Sequence, residues 1–149
     1  MSSANQRVVL DTNQIVGAGS RWLEEPAANA NNHRRLLEHV AGKHTGLYCT
    51  EIVQEYIEKL LDHHHPGSRV QKLITYIIGA FAEVRIVSSV APVRPSDPDD
   101  EVFLICSLDG NADYLVSEDK GLLGVKESYQ RPVIGKCAEL MSVLGIKDS

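Results

Sequence analysis

In residues 97–123, DPDDEVFLICSLDGNADYLVSEDKGLL, two groups of carboxylates flank an apolar helix and a short apolar strand. A further acid, Asp11, closes the apolar run Arg7-Val8-Val9-Leu10 and opens Asp11-Thr12-Asn13. Carboxylates converging on one crevice repel one another when ionised, and a hard divalent cation is the usual physical resolution. An oxygen-only donor set suits magnesium, which keeps several waters, takes one or two carboxylates and leaves room for a substrate phosphate. Manganese binds such sites somewhat more tightly.

Each acid taken singly has a plainer explanation. Asp11 and Asp119 follow strands, where turn and cap residues are common. Asp100 lies in a first helical turn, where the helix dipole favours acids without any function. Asp97 reads as a helix cap, and Asp99 and Glu101 as dipole-favoured acids of that turn. Another element must supply a glutamate. The helix after the second strand offers Glu51, Glu55 and Glu58, all off the apolar stripe, and the helical wheel does not choose between them. Thr12, Asn13 and Ser117 sit beside candidate ligands, where they could bond carboxylates or hold metal waters. His63-His64-His65 ends a helix before Pro66-Gly67, and consecutive residues cannot all face one ion. Arg34, Arg35, Lys59, Arg69, Lys72, Lys120 and Lys126 are scattered cations that could line an RNA path, though ordinary surface charge is the plainer reading of each.

The elements that must position these acids alternate between short strands and helices. Residues 7–10 read as the first strand, and Gly17-Ala18-Gly19-Ser20 as a chain break before a helix over 24–41. A strand over 47–49 leads to a helix capped by Thr50, with Ile52, Val53, Tyr56, Ile57, Leu60 and Leu61 in one stripe. A helix over 68–82, a strand over 84–87 and a proline-spaced surface connection over 90–96 follow. Asp97 and Pro98 then open the next helix, and Tyr114-Leu115-Val116 reads as a buried strand. A turn-rich loop over 120–129, a strand over 132–134 and a helix over 136–144 close the chain. This alternation predicts right-handed crossovers, hence one α/β domain over 1–149 with about five parallel strands and helices on both faces. Asp11 and Asp119 then emerge on the same sheet edge, where ligands bind in such folds.

Composition narrows the function classes. At 149 residues and 43% apolar content the chain suffices for one well-buried domain. Its net charge of −5 gives no general attraction for nucleic acid, so a phosphate-bearing substrate needs local cations. Cys49, Cys106 and Cys137 are odd in number and lack CxxC spacing, which disfavours a disulfide framework or zinc site and fits a reducing cytoplasm. No run reaches the roughly 18 apolar residues of a membrane span.

The chain resembles the PIN domain, and in particular the toxins of toxin–antitoxin pairs. The resemblance rests on four pieces in order: Val8 into Asp11-Thr12-Asn13, Glu55 before Tyr56, Asp97-Pro98-Asp99-Asp100, and Ala112-Asp113-Tyr114-Leu115-Val116-Ser117 with Asp119 two residues on. It implies a three-layer α/β/α PIN-like fold and a metal site of Asp11, Glu55, Asp100 and Asp119, which selects Glu55 over Glu51. It further implies Mg2+- or Mn2+-dependent hydrolysis of RNA phosphodiesters, a small antitoxin partner and homodimerisation. Three positions depart from the pattern: Ser117 where threonine is frequent, Glu118 where glycine is common, and Gln14 where an aliphatic residue is usual. Glu118 adds a charge beside the site. Two rival functions are a PIN fold used as an RNA- or partner-binding module with an idle site, and a haloacid-dehalogenase-like phosphatase with Asp11 as nucleophile. The second is weakened by Asn13, where such sites want a second Asp.

Overall fold

The computed structural model describes residues 4–20 and 30–146. Among them, β1 (Arg7–Leu10), β2 (Thr45–Tyr48), β3 (Ala82–Glu83), β4 (Tyr114–Val116) and β5 (Val133–Gly135) form one parallel sheet in the order β3-β2-β1-β4-β5. The helices are α1 (Thr12–Gly19), α2 (Asn32–Lys43), α3 (Thr50–Asp62), α4 (Gly67–Ala80), α5 (Glu101–Asp109), α6 (Lys120–Leu123) and α7 (Cys137–Val143). Val8, Val9 and Leu10 are wholly buried because β1 is paired on both sides and covered on both faces.

The chain moves from β1 to β2 to β3 in one direction, then jumps back across the sheet to β4. Right-handed crossovers therefore place α1 to α4 on one face and α5 on the other. In agreement, α1 packs against α2 and α3, and α5 against β1, β2 and β4. The reversal falls between β1 and β4, so a crevice opens beyond the carboxyl ends of these two strands. No described helix is long and apolar enough to cross a membrane.

Several elements differ from the sequence expectations. The chain does not break at Gly17-Ala18-Gly19, which lie inside α1. A Cβ at Gly17 would meet the His33 ring at 2.5 Å, and one at Gly19 the Leu73 side chain at 2.9 Å, so these glycines serve close helix packing. The helix expected over 24–41 is described only from Asn32, with Asn31 as its cap accepting from the Arg34 N–H; 24–29 lie outside the described residues. Cys49, not Thr50, occupies the cap position of α3.

The strand expected over 84–87 is instead the two-residue β3 just before it. The Val84 N–H still donates to the Tyr48 carbonyl at 2.8 Å, but the Val87 and Ser88 N–H groups turn to the Asp109 carboxylate, which takes the end of this segment off the ladder. The helix after Asp97 begins as a 3-10 turn, Pro98–Asp100, before α5 proper. Residues 120–129 are no plain loop, since Asp119 caps the short α6 and a second 3-10 turn spans Lys126–Ser128.

Candidate metal centre

Leu10 and Val116 are register partners, so the residues after them, Asp11 and Ser117, leave the sheet side by side. Ser117 Oγ donates to Asp11 Oδ2 at 2.6 Å, and the Thr12 N–H donates to Asp11 Oδ1 at 2.7 Å. The same Ser117 oxygen accepts from the Asp119 N–H at 2.9 Å. One buried hydroxyl thus joins the ends of two strands. Asp119 Oδ2 in turn accepts from the Gly121 and Leu122 N–H groups, which fixes its carboxylate at the start of α6.

Glu55 arrives on α3. Its neighbour Tyr56 is fully buried and donates its hydroxyl to the Leu10 carbonyl, which sets the position of α3 along β1. Asp100 arrives at the end of the 3-10 turn, whose start is held by Asp97 accepting from the Asp99 N–H at 2.9 Å. The four predicted acids Asp11, Glu55, Asp100 and Asp119 all line one crevice of about 170 Å3, with Thr12, Asn13, Asp97, Asp99, Lys59 and Phe103. Ser117 lies beneath it.

The electrostatics follow from this crowding. Burial, a hydrogen bond with the Asp119 carboxyl and the charges of Asp119, Asp11 and Asp97 push Asp100 up to about 8. Burial raises Asp11 as well, against the lowering by its Ser117 and Thr12 hydrogen bonds, with Asp119 and Glu55 adding repulsion. Burial likewise raises Glu55; Lys59 opposes this, and Glu58, Asp99 and Asp97 reinforce it. A Cβ at Gly121 would sit 3.0 Å from Oδ2 of both Asp100 and Asp119, so a side chain there would crowd the two facing oxygens. Thr12 Oγ1, on the crevice wall, is buried without a hydrogen-bond partner.

Among the described residues no three His, Cys, Asp or Glu side chains stand ready around one point to hold a metal. The donor set nonetheless fits a hard cation that keeps much of its water and needs only one or two carboxylates. Asp100 and Asp119 already touch, all the anionic donors are oxygens, and an orphaned hydroxyl faces the same space.

Two acids take other places than expected. Glu118 is absent from the crevice lining: its Oε2 accepts from the Gln14 amide at 3.2 Å and from the Cys137 N–H at 2.9 Å. The two departures at Gln14 and Glu118 are therefore partners. Gln14 Oε1 also bonds His33 Nδ1 at 2.8 Å. Glu101 does more than favour a helix dipole, because its buried carboxylate accepts from the Ala91 N–H at 2.8 Å and pairs with Arg94 at 2.9 Å. Asp97 and Asp99 keep their turn roles and also face the crevice.

The sequence does not single out Lys59 from the other scattered cations or give Tyr56 a role beyond the apolar stripe and the Glu55-Tyr56 pair, whereas the structure puts Lys59 on the crevice wall and bonds Tyr56 to Leu10. Tyr56 stood in the apolar stripe next to Glu55. Lys59, one helical turn beyond Glu55, was detectable by its i,i+4 spacing.

A parallel sheet with its connections reversing beside an acidic crevice defines an α/β domain whose crevice lies at the switch point, the place where such folds bind ligands. The family described as the PIN domain matches residues 7–121, and the chain belongs to it. No curated protein matches. Among solved structures the chain is similar to VapBC2 from Rickettsia felis, whose crystal structure was determined bound to a DNA fragment from their promoter. The TM-score is 0.55 at 12% identity, covering 87% of this chain and 97% of that one, a likeness of fold.

Proposed function

We propose that this chain is a divalent-metal-dependent ribonuclease and the toxin component of a toxin–antitoxin pair. The observation that carries the nuclease reading is the meeting of Asp11, Glu55, Asp100 and Asp119 in one crevice, with Asp100 pushed up to about 8 by its neighbours. Asp11 and Asp100 would be the principal holders of magnesium or manganese, with Glu55 and Asp119 holding a second ion or metal-bound waters. When bound, the metal supplies Lewis acidity toward the phosphodiester and lowers the pKa of an attacking water.

The chain's own residues then have separable tasks. Ser117 and the Thr12 N–H fix the orientation of Asp11, and the Gly121 and Leu122 N–H groups fix Asp119. Glu55, raised and partly open, can take a proton from the incoming water. Lys59 is the cation on the crevice wall and offers a contact for a substrate phosphate. Thr12 Oγ1 offers a donor to the same group.

Purified protein with manganese is expected to cleave single-stranded RNA, and Asp11→Asn to lower the rate at least about a hundredfold. Cleavage that persists in Asp11→Asn overturns the assignment. The toxin role rests on family membership and on the likeness to VapBC2. A small antitoxin would quench the crevice by inserting an arginine among the carboxylates. Growth arrest on expression, relieved by a gene encoded beside this one, tests that role.

A further inference from the structure

Two segments of largely irregular chain converge on the crevice. One is the connection that ends in the Asp97–Asp100 turn; the other runs from Asp119 through α6 and the second 3-10 turn to Tyr129. At the crevice, Oδ2 of Asp100 and Oδ2 of Asp119 both lie 3.0 Å from the position a Cβ would take at Gly121, and Ser96 Oγ lies 3.3 Å from that same position. Farther out, the Tyr129 hydroxyl bonds one residue twice, accepting from the Val93 N–H at 2.9 Å and donating to the Val93 carbonyl at 2.5 Å. The contacts pair 100 with 119, 96 with 121 and 93 with 129, so the two segments run side by side in opposite directions. A phenol satisfies both backbone groups of Val93, as a neighbouring strand would.

We propose that Tyr129 is a positioning residue of the metal centre: its paired hydrogen bonds to Val93 hold the segment carrying Asp119 at a fixed distance from the segment carrying Asp100. The proposal rests on the reading of the crevice as a metal site.

The other restraints leave this task open. Glu101 fastens Ala91 and Arg94, but it belongs to α5 and ties the connection to its own, Asp100, side. Asp119 is bonded by the Gly121 and Leu122 N–H groups of its own turn, and its N–H by Ser117 Oγ at the end of β4. Tyr129 reaches across. The four residues of α6 and the three of the following 3-10 turn are too few to hold a direction by helical hydrogen bonding alone. Once both are ionised, the Asp100 and Asp119 carboxylates push the two segments apart. A small cation that binds oxygen at about 2.0–2.1 Å tolerates little change in the spacing of its carboxylates. A link that opposes the repulsion before the cation arrives raises affinity, because binding then has less order to impose. Tyr129 does this without lining the crevice itself.

Tyr129→Phe removes one oxygen and keeps the ring. In the metal-free full-length protein, amide hydrogen exchange measured by NMR is expected to quicken at least about fivefold at Val93 and also at Gly121 and Leu122, whose N–H groups bond Asp119. Leu115, buried in the central β4, should keep its wild-type rate. Manganese binding, measured by titration calorimetry, is expected to weaken roughly fivefold while the urea midpoint stays close to wild type. Exchange that quickens at Val93 alone, or a manganese affinity equal to wild type, overturns the proposal. The metal reading fails separately: if Asp100→Asn binds manganese as tightly as the wild type, the crevice is not the metal site, and Tyr129 positions no metal whatever the exchange rates.

Discussion

Asp100 and Glu101 are adjacent in sequence and begin the same helix, yet their environments push them in opposite directions. Asp100 meets burial, Asp119 and two further carboxylates and is pushed up to about 8. Glu101 is held below the usual carboxylate range by the Ala91 N–H and by Arg94. Asp109, at the other end of α5, joins the second kind: burial pushes it up, but the Ser88 hydroxyl and the N–H groups of Ser88 and Val87 outweigh that. An acid that receives its donors from the protein fastens a loop. Asp100, which meets chiefly other carboxylates, remains in need of a cation, and this contrast separates it from its neighbour more sharply than burial or sequence position.

The contrast can be broken most directly by neutralising one acid of each kind. Asp100→Asn is expected to reduce manganese-dependent RNA cleavage at least about a hundredfold, while Glu101→Gln leaves cleavage within a few-fold and lowers the urea midpoint. Equal loss of cleavage in both variants would erase the distinction.

Next in size is the response to metal and pH. Asp100 has a folded-state value of about 8, above its unfolded value of about 3.9. Its contribution to stability is thus present below pH about 4 and is lost as pH rises toward 8, with Asp11 and Glu55 acting in the same direction. Manganese needs the ionised form, so its stabilisation, about 2.7 kcal/mol at a hundred times Kd, is expected to show as a larger rise in Tm at pH 8 than at pH 6. Asp100→Asn should remove most of that difference. Glu101 and Asp109, being lowered, stabilise above their unfolded values and lose that contribution as pH falls through their folded ones.

A smaller effect is expected from Asp109→Ala. Loss of hydrogen bonds to a charged acceptor should cost about 2 kcal/mol, read by urea unfolding, with metal-dependent cleavage retained. The smallest concerns Gln14 and Glu118. A double-mutant cycle with Gln14→Leu and Glu118→Gly should give a coupling of about 0.5–1 kcal/mol, and additive effects would show that the two departures from the family pattern do not support each other.

Much of this was legible in the sequence where the signal is burial. β1 and β4 read as apolar runs ending on polar residues because both strands are central and covered. β3 was misplaced because hydropathy does not register hydrogen bonding: 84–87 is apolar enough for a strand, yet Asp109 binds its end and Val87 is 78% exposed. Gly17 and Gly19 read as a break because their helix is imposed by neighbours distant in sequence.

The acids at strand and helix ends could be grouped from topology alone. Glu55 could not, because a helical wheel gives a direction and no distance. What brings it within reach is the Tyr56 bond to the Leu10 carbonyl, 46 residues away in the chain. Glu101 looked like any first-turn acid because its partners lie in a connection with no periodic pattern.

The two glycines of α1 give the crevice a mechanical property. The helix has eight residues and starts immediately after Asp11, so it is a rod about 12 Å long with one end fixed at an acid. Its far end lies under His33 and Leu73 with no room for a methyl group. A displacement of about 1 Å at that end, over the rod's length of eight residues, tilts it by about 5°. Asp11, held at the near end by Ser117 and the Thr12 N–H, thus heads a lever whose opposite end is seated by steric contact with His33 and Leu73.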